Sequence, residues 1–174
     1  MKAIFYPDGK FSSSAIHKIL KEIYFEKVYK DALSGKRNLI IIDVGANIGL
    51  TVQDFVGHAK QIYAIEPSSE SYAALKQNKE FNKWDNVNLI KAAIAEKNGV
   101  MDLNLNSQNI TTHSLITKHK QLQTEKVRVI TFETLFIENN IQMVDFVKMD
   151  IEGYETIVLL GEDFKKMSSK INMI

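Results

Sequence analysis

The sequence predicts an α/β fold, a Rossmann-like and mostly parallel sheet with helices on both faces. From residue 39 onward, apolar strand-like segments alternate with helix-like segments, and acidic residues end three of the strands, at Asp43, Glu66 and Asp150. Alternation of this kind forms parallel sheets with right-handed crossovers. Ligands bind such sheets beyond the carboxyl ends of the strands, so we expect these three carboxylates to mark a binding site.

Length and composition are those of a globular domain. The chain has 174 residues, of which 45% are hydrophobic and 25% charged. Its 22 Lys and Arg nearly balance its 21 Asp and Glu, so we expect neither a nucleic-acid nor a membrane partner. The absence of cysteine excludes disulfides, thiolate zinc sites and a cysteine nucleophile. The longest aliphatic run, Leu39–Ile42, is far short of the ~20 residues of a membrane span, and we expect a cytoplasmic protein.

The chain is predicted to divide into an N-terminal extension, residues 1–38, and one domain, residues 39–174. In the extension, Ser13 or Ser14 can cap a helix that runs to about Leu33. The elements predicted next are a strand at Leu39–Val44, a helix near Leu50–Ala59, a strand at Gln61–Glu66, and a helix opened by Pro67 that turns Tyr72, Leu75 and Phe81 inward.

The second half continues the alternation with one predicted hairpin. Val87–Ala95 reads as a third strand, and the Asn98-Gly99 pair predicts that residues 100–105 return antiparallel beside it. Residues 106–124 show no period and predict a long loop. The remaining predicted elements are a strand at Val127–Phe132 with a short helix after it, a strand at Val144–Met149, a helix at Gly153–Leu160, and the beginning of a strand at Ile171–Ile174.

A glycine-rich loop follows the first predicted strand, and an acidic residue ends the second. The loop spans residues 43–49 and has the sequence DVGANIG. Its glycines, Gly45 and Gly49, permit backbone conformations and close ligand approach that a side chain would block. Glu66 can accept hydrogen bonds from both hydroxyls of a ribose. Together these residues predict a nucleoside site.

The loop disfavours a bound diphosphate. In a dinucleotide fingerprint starting at Gly45, Asn47 would stand at the second glycine and Leu50 at the third, and no Lys-Ser or Lys-Thr follows as in a P-loop. S-adenosylmethionine is a nucleoside without a phosphate bridge, and Asp43 could lie near its cationic amino-acid end. A dinucleotide oxidoreductase is the weaker hypothesis and depends only on the spacing of Glu66 from the loop.

Three motifs together resemble the FkbM family of S-adenosylmethionine-dependent methyltransferases. They are DVGANIG at residues 43–49, Glu66-Pro67, and KMDIEGYE at residues 148–155. The resemblance extends over about residues 39–161, and residues 127–133 also resemble the segment before the fourth strand of the family. It implies O-methylation of a hydroxyl on a small molecule, sugar or polyketide-type product.

The resemblance also implies roles for individual residues. The loop with Gly45, Ala46, Asn47 and Gly49 would hold the methionine part of the cofactor. Glu66, followed by Pro67, would hold the ribose. The adenine would lie along the two residues after the third strand, Ala92 and Ala93.

Three residues are candidates for catalysis. Asp150 would face the methyl-transfer site and is the first candidate for a general base or a substrate anchor. Lys148 has a stem long enough to reach the mouth of the site. His113, in the predicted long loop, has the ordinary pKa of a general base. Glu152-Gly153 is equally well explained as a helix start or a functional pair, and the sequence shows no clear metal-ligand set.

Finally, the sheet of the family has more strands than the chain supplies, so we expect the C-terminal strands to be missing. A parallel edge left exposed favours association with a second copy. The alternative hypothesis is therefore a non-catalytic binding or assembly module on a truncated methyltransferase scaffold.

Overall fold

The computed structural model describes Lys21, Val28, Tyr29, residues 33–105, Leu115 and residues 123–174. The predicted N-terminal helix, most of the predicted loop at 106–124 and His113 lie outside the described residues. The part of the extension that is described packs on the domain, since Leu33 is buried and the ring of Tyr29 lies edge-on to Phe55.

The described elements alternate as predicted. The strands are β1 (Leu39–Val44), β2 (Ala59–Ile65), β3 (Val87–Ile90), β4 (Ala93–Ile94), β5 (Gly99–Leu105), β6 (Gln123–Ile130) and β7 (Phe146–Met149). The helices are α1 (Leu50–Phe55), α2 (Ser69–Asn82), α3 (Phe132–Glu138), α4 (Glu155–Leu160) and α5 (Glu162–Met167), followed by a 3-10 helix at Ser168–Lys170. None of the helices among the described residues has the length and apolar character of a membrane span.

The strands form a parallel sheet and a smaller mixed one. The main sheet has the order β3-β2-β1-β7 with all neighbours parallel, which confirms the predicted fold class. In the second sheet, β6 pairs parallel with β4 and antiparallel with β5. Ile171 forms a parallel bridge with Val144, and the Val147 amide donates to the Met173 carbonyl, so residues 171–174 begin a strand beside β7 as predicted.

The alternation of apolar residues in β1 builds the core on both faces of the main sheet. Ile42 and Val44 enter a cluster with β2, β7 and α3, whereas Leu39 and Ile41 enter a cluster with α1 and Trp84. Asp43 shares the parity of Leu39 and Ile41, which places it on the α1 face. The carboxylate of Asp43, near the C-terminal end of β1, therefore points into the protein interior.

The helices after β1 and β2 differ in detail from the prediction. The first helix ends at Phe55, not near Ala59, because Ala59 already pairs with Leu39 in the sheet. In α2, Leu75 is buried as predicted, but Phe81 is 54% exposed. The inward assignment of Phe81 was wrong because the buried face of α2 consists of Ser71, Ala74, Leu75 and Asn78, and Phe81 lies outside that face.

The predicted third strand is present but shorter than expected, and the predicted hairpin was wrong. Residues 87–95 divide into β3 in the main sheet and β4 in the second sheet, and β5 pairs with β6 instead of returning along them. The physical reason is the side chain of Asn98. Its oxygen accepts from the Thr131 amide and its nitrogen donates to the Thr134 hydroxyl, which holds the turn against the end of β6.

Three later boundaries move by a few residues. The strand before α3 ends at Ile130, because the hydroxyl of Thr131 accepts the Thr134 amide and caps a helix that begins at Phe132. The strand predicted at Val144 begins at Phe146. The helix predicted from Gly153 begins at Glu155.

Candidate functional site

The loop of residues 45–49 lies across the carboxyl ends of β1, β2 and β7. The amides of Gly45 and Ala46 both donate to the carbonyl of Ile65 at the end of β2, each over 3.0 Å. On the other side, the amide of Asp150 donates to the carbonyl of Val44 over 3.1 Å. The loop is thereby attached to both neighbouring strands, and the residues predicted to bind a cofactor share one edge of the sheet.

The two glycines of the loop are required by contacts within the protein. Gly45 has φ +77°, and a Cβ built there would overlap the carbonyl oxygen of Asp150. Gly49 has φ +96°, and its Cβ would lie 2.7 Å from Leu75 Cδ1. The close approach that we attributed to a ligand is thus made by the protein's own backbone and side chains.

Two further residues of the loop stabilise its shape. Asn47 has φ +50°, a conformation that asparagine tolerates, and its side-chain oxygen accepts the Ile48 amide over 2.8 Å. Asn78, fully buried on α2, donates to the Ile48 carbonyl over 2.9 Å. The side chain of Ala46 is buried in the core, so Ala46 can offer a ligand only its backbone.

Glu66 is a buried carboxylate at the end of β2, with 5% of the residue exposed. One oxygen accepts the Asn47 amide and the other accepts the Ser68 amide, both over 2.9 Å. Burial raises the pKa of Glu66 to about 7, although both hydrogen bonds and the nearby Lys148 lower it. Each carboxylate oxygen has two lone pairs, so the carboxylate retains capacity to accept hydroxyl donors.

The raised pKa of Glu66 predicts that stability falls as pH rises. Between its ordinary value of 4.5 and about 7, the folded protein binds more protons at Glu66 than the unfolded chain does. The free energy of unfolding should therefore decrease over this range, by up to about 3 kcal/mol. Urea unfolding between pH 5 and pH 8 measures this decrease. In Glu66→Gln the group no longer titrates, and an equally steep decrease in that variant would contradict the prediction.

Asp43 and Lys148 form a buried ion pair under the loop. Their charged atoms are 3.1 Å apart, and the Thr51 hydroxyl donates to the second oxygen of Asp43. Lys148 also donates to the carbonyl of Gly45 over 2.9 Å. Burial by itself lowers the pKa of Lys148, but the carboxylates of Asp43 and Asp150 outweigh it, and the pKa is raised.

This ion pair changes the positions expected for both residues. The carboxylate of Asp43 lies in the interior against Lys148, not at an opening where it could meet a cationic ligand. The ammonium group of Lys148 lies under the loop, not at the mouth of the site, because a buried positive charge needs the Asp43 carboxylate and backbone carbonyls around it.

The turn after β7 presents Asp150 at the surface. Asp150 is exposed, and its amide remains bonded to β1. Glu152 and Gly153 both have positive φ, at +54° and +94°, so they form a turn and not the first helical residues. The carboxylate that stabilises the start of the helix is that of Glu155, which accepts the Ile151 amide over 2.6 Å. The structural explanation of Glu152 as a helix-start residue is therefore wrong.

The side chains of Ala92 and Ala93 are covered by protein. Ala92 packs in the core of the main sheet, and Ala93 packs in the core of the second sheet. The exposed residue after β3 is Lys91, which donates to the Ser69 hydroxyl and lies 3.7 Å from Glu125. Sequence reasoning missed this polar cluster, because Glu125 belongs to a strand of the other sheet and no local pattern connects it with α2.

Metal ligands are not clustered in the part of the chain that is described. No group of three His, Asp or Glu side chains there could hold an ion. Pro67, also predicted to bind, is half-buried between Glu66 and the Ser68 cap of α2.

A family model described as the methyltransferase FkbM domain matches residues 43–174, which is most of the chain. The chain belongs to the FkbM methyltransferase family. The match covers the loop, Glu66 and the turn after β7, and it confirms the family that the three sequence motifs resemble. The FkbM domain and its fold support S-adenosylmethionine-dependent methylation. Among curated proteins, none matches significantly.

Solved structures similar to this FkbM domain match only in part. One is a methyltransferase from Streptococcus mutans in complex with SAH, with 24% identity, a TM-score of 0.36, and coverage of 39% of this chain and 40% of that chain. Another is M. jannaschii TYW2 in complex with AdoMet, with 25% identity, a TM-score of 0.34, and coverage of 50% and 34%. A third is precorrin-6y C5,15-methyltransferase from Geobacter metallireducens, with 15% identity, a TM-score of 0.38, and coverage of 51% and 43%. The matched part is less than half the length of each of these proteins.

The residues at this edge fit S-adenosylmethionine by their chemistry. Glu66 offers carboxylate oxygens with remaining acceptor capacity at the end of β2, and a ribose diol is a ligand of matching chemistry. The loop beside it is held in one conformation by hydrogen bonds to β2. The residues present at this edge are therefore compatible with a bound nucleoside.

Proposed function

We propose that residues 39–174 form an S-adenosylmethionine-dependent O-methyltransferase domain that methylates a hydroxyl of a small molecule or sugar. The observation that carries the proposal is the position of Asp150. Its exposed carboxylate follows β7, while its backbone is bonded to the end of β1 and packs against Gly45 of the loop. A carboxylate in this place can bind an acceptor hydroxyl next to the cofactor edge.

The proposed roles divide between binding and proton transfer. When bound, S-adenosylmethionine supplies an electrophilic methyl group on a sulfonium. Glu66 accepts hydrogen bonds from the ribose hydroxyls, and the backbone of the loop holds the methionine part. Asp150 accepts a hydrogen bond from the acceptor hydroxyl and takes its proton as the oxygen attacks. His113, the alternative candidate for the base, lies outside the described residues and stays a prediction.

Two measurements test the proposed function. Titration calorimetry with S-adenosylhomocysteine should show binding. A screen of sugars and small alcohols with labelled S-adenosylmethionine should show transfer of the label to an acceptor. Binding without transfer to any hydroxyl acceptor would favour the alternative of a non-catalytic module, and stronger binding of NADH would favour the oxidoreductase hypothesis.

Asp150→Asn should separate catalysis from cofactor binding. The amide cannot take a proton, so we expect kcat to fall about a hundredfold while the affinity for S-adenosylhomocysteine changes less than threefold. The comparison variant is Asp102→Asn, which changes an exposed aspartate on β5 in the second sheet. Unchanged kcat in Asp150→Asn would remove Asp150 from the mechanism.

A further inference from the structure

The buried ion pair between Lys148 and Asp43 has no task in the proposed chemistry. Lys148 is 6% exposed and Asp43 is fully buried, on the α1 face of the main sheet. Burying two charges is expensive, and apolar residues of similar size stabilise a core as well or better. The contacts of the ammonium group therefore need another explanation than stability.

These contacts lie at the junction between β1 and the loop. The Lys148 ammonium group lies 3.1 Å from Asp43 and donates to the carbonyl of Gly45 over 2.9 Å, with the carbonyl of Val44 at 3.5 Å. These two carbonyls belong to the last residue of the strand and the first residue of the turn. Lys148 thus holds the backbone at the point where it leaves the sheet.

Two residues further along, the same loop reaches Glu66. The Ala46 amide is bonded to Ile65, and the Asn47 amide donates to a Glu66 oxygen over 2.9 Å. A shift of the Gly45 carbonyl would move the Asn47 amide away from Glu66, because Gly45 and Asn47 are joined by a single residue whose own amide is bonded.

We propose that Lys148 is a positioning residue of the cofactor site. Its ammonium group fixes the Gly45 carbonyl against Asp43, and the loop so fixed aligns the Asn47 amide with Glu66. Lys148 acts through the loop and does not touch the substrate. This inference deepens the proposed function and rests on it for the identity of the ligand, but the alignment of the loop is independent of any ligand.

The charges of the pair also act on Glu66 from a distance. The positive charge of Lys148 lowers the pKa of Glu66, whereas the negative charge of Asp43 raises it. The other groups that act on Glu66 are the amides of Asn47 and Ser68, and Lys148 itself is faced by Asp43, Asp150 and Tyr29. Removing one charge or the other should therefore shift the titration of Glu66 in opposite directions.

The test measures S-adenosylhomocysteine binding by calorimetry from pH 5.5 to pH 9 in the full chain. In Lys148→Met we expect affinity at pH 7 to fall at least about tenfold and the pH midpoint of binding to rise. In Asp43→Asn we expect the midpoint to fall. Lys126→Met, which removes an exposed lysine paired with Asp102, is the control and should leave both quantities unchanged. The two midpoint shifts report the charges that act on Glu66, and the position of the loop is tested by amide exchange.

Amide hydrogen exchange, measured without any ligand, is the second test of the positioning role. The amides of Gly45, Ala46 and Asn47 should exchange at least about tenfold faster in Lys148→Met than in the wild-type protein, with β6 amides unchanged. If the wild-type protein binds no S-adenosylhomocysteine, the proposed function fails, while faster exchange still supports the positioning role. If these three amides exchange in Lys148→Met at the wild-type rate, the positioning role of Lys148 is overturned. If Lys148→Met does not fold, Asp43→Asn, which removes the charge that holds the Lys148 ammonium group, decides, and wild-type exchange of the three amides in that variant overturns the proposal.

Discussion

Gly45→Ala is expected to lower the free energy of unfolding by more than about 3 kcal/mol, enough to unfold a domain of ordinary stability. The added methyl group would overlap the carbonyl oxygen of Asp150 and lie 3.1 Å from its carbonyl carbon. Neither backbone can move freely, since the Asp150 amide is bonded to Val44 and the Gly45 amide to Ile65. Denaturant unfolding measures the loss.

Gly153→Ala is the matched control for this prediction. Gly153 has a larger positive φ, +94° against +77°, but a Cβ there meets nothing within 4 Å. Its replacement should cost only the conformational strain, about 1 kcal/mol. The difference between the two variants isolates the contact between the loop and the turn after β7. Equal losses of stability would show that this contact is unimportant.

Glu66→Ala is expected to reduce the affinity for S-adenosylhomocysteine roughly a thousandfold. Two charge-assisted hydrogen bonds to ribose hydroxyls would be lost, each worth about 1.5–3 kcal/mol. The Asn47 and Ser68 amides would also lose their acceptor, which loosens the loop. Calorimetry at pH 8, above the pKa of about 7, compares the variant with a wild-type carboxylate that is mostly ionised.

Two further variants make the Glu66 result interpretable. Glu66→Gln keeps one acceptor oxygen without a charge and should bind more tightly than Glu66→Ala but less tightly than the wild-type protein. Glu138→Ala removes an exposed carboxylate paired with Arg128 and should bind normally. Circular dichroism verifies that each variant is folded. If folded Glu66→Ala binds within threefold of the wild-type protein, Glu66 does not hold the ribose.

Much of the fold followed from local patterns. The bounds of β1 were predicted to the residue, because four aliphatic residues are closed by Asp43 and a glycine turn follows. The start of α2 was predicted from Pro67, and the structure shows Ser68 capping the helix there. These features depend on neighbouring residues, which explains why periodicity and turn chemistry were sufficient.

The pairing of distant segments was not readable in the same way. The prediction that β5 returns along residues 87–95 failed because Asn98 bonds to Thr131 and Thr134, more than thirty residues away. Phe81 was assigned to the core by spacing alone, yet it lies outside the face of α2 that the rest of the protein covers. The partner of a strand and the outer face of a helix depend on the whole chain.

The sequence by itself determined the family, the parallel sheet and the edge where Asp43, Glu66 and Asp150 end their strands, since motif, alternation and polarity are all local. Only the tertiary structure decided what each carboxylate faces. Asp43 turns inward to Lys148, 105 positions away, Glu66 is held by two loop amides, and Asp150 stays exposed. The physical reason is that burial and charge pairing depend on which strands are adjacent, and β1 meets β7 only when the sheet has formed.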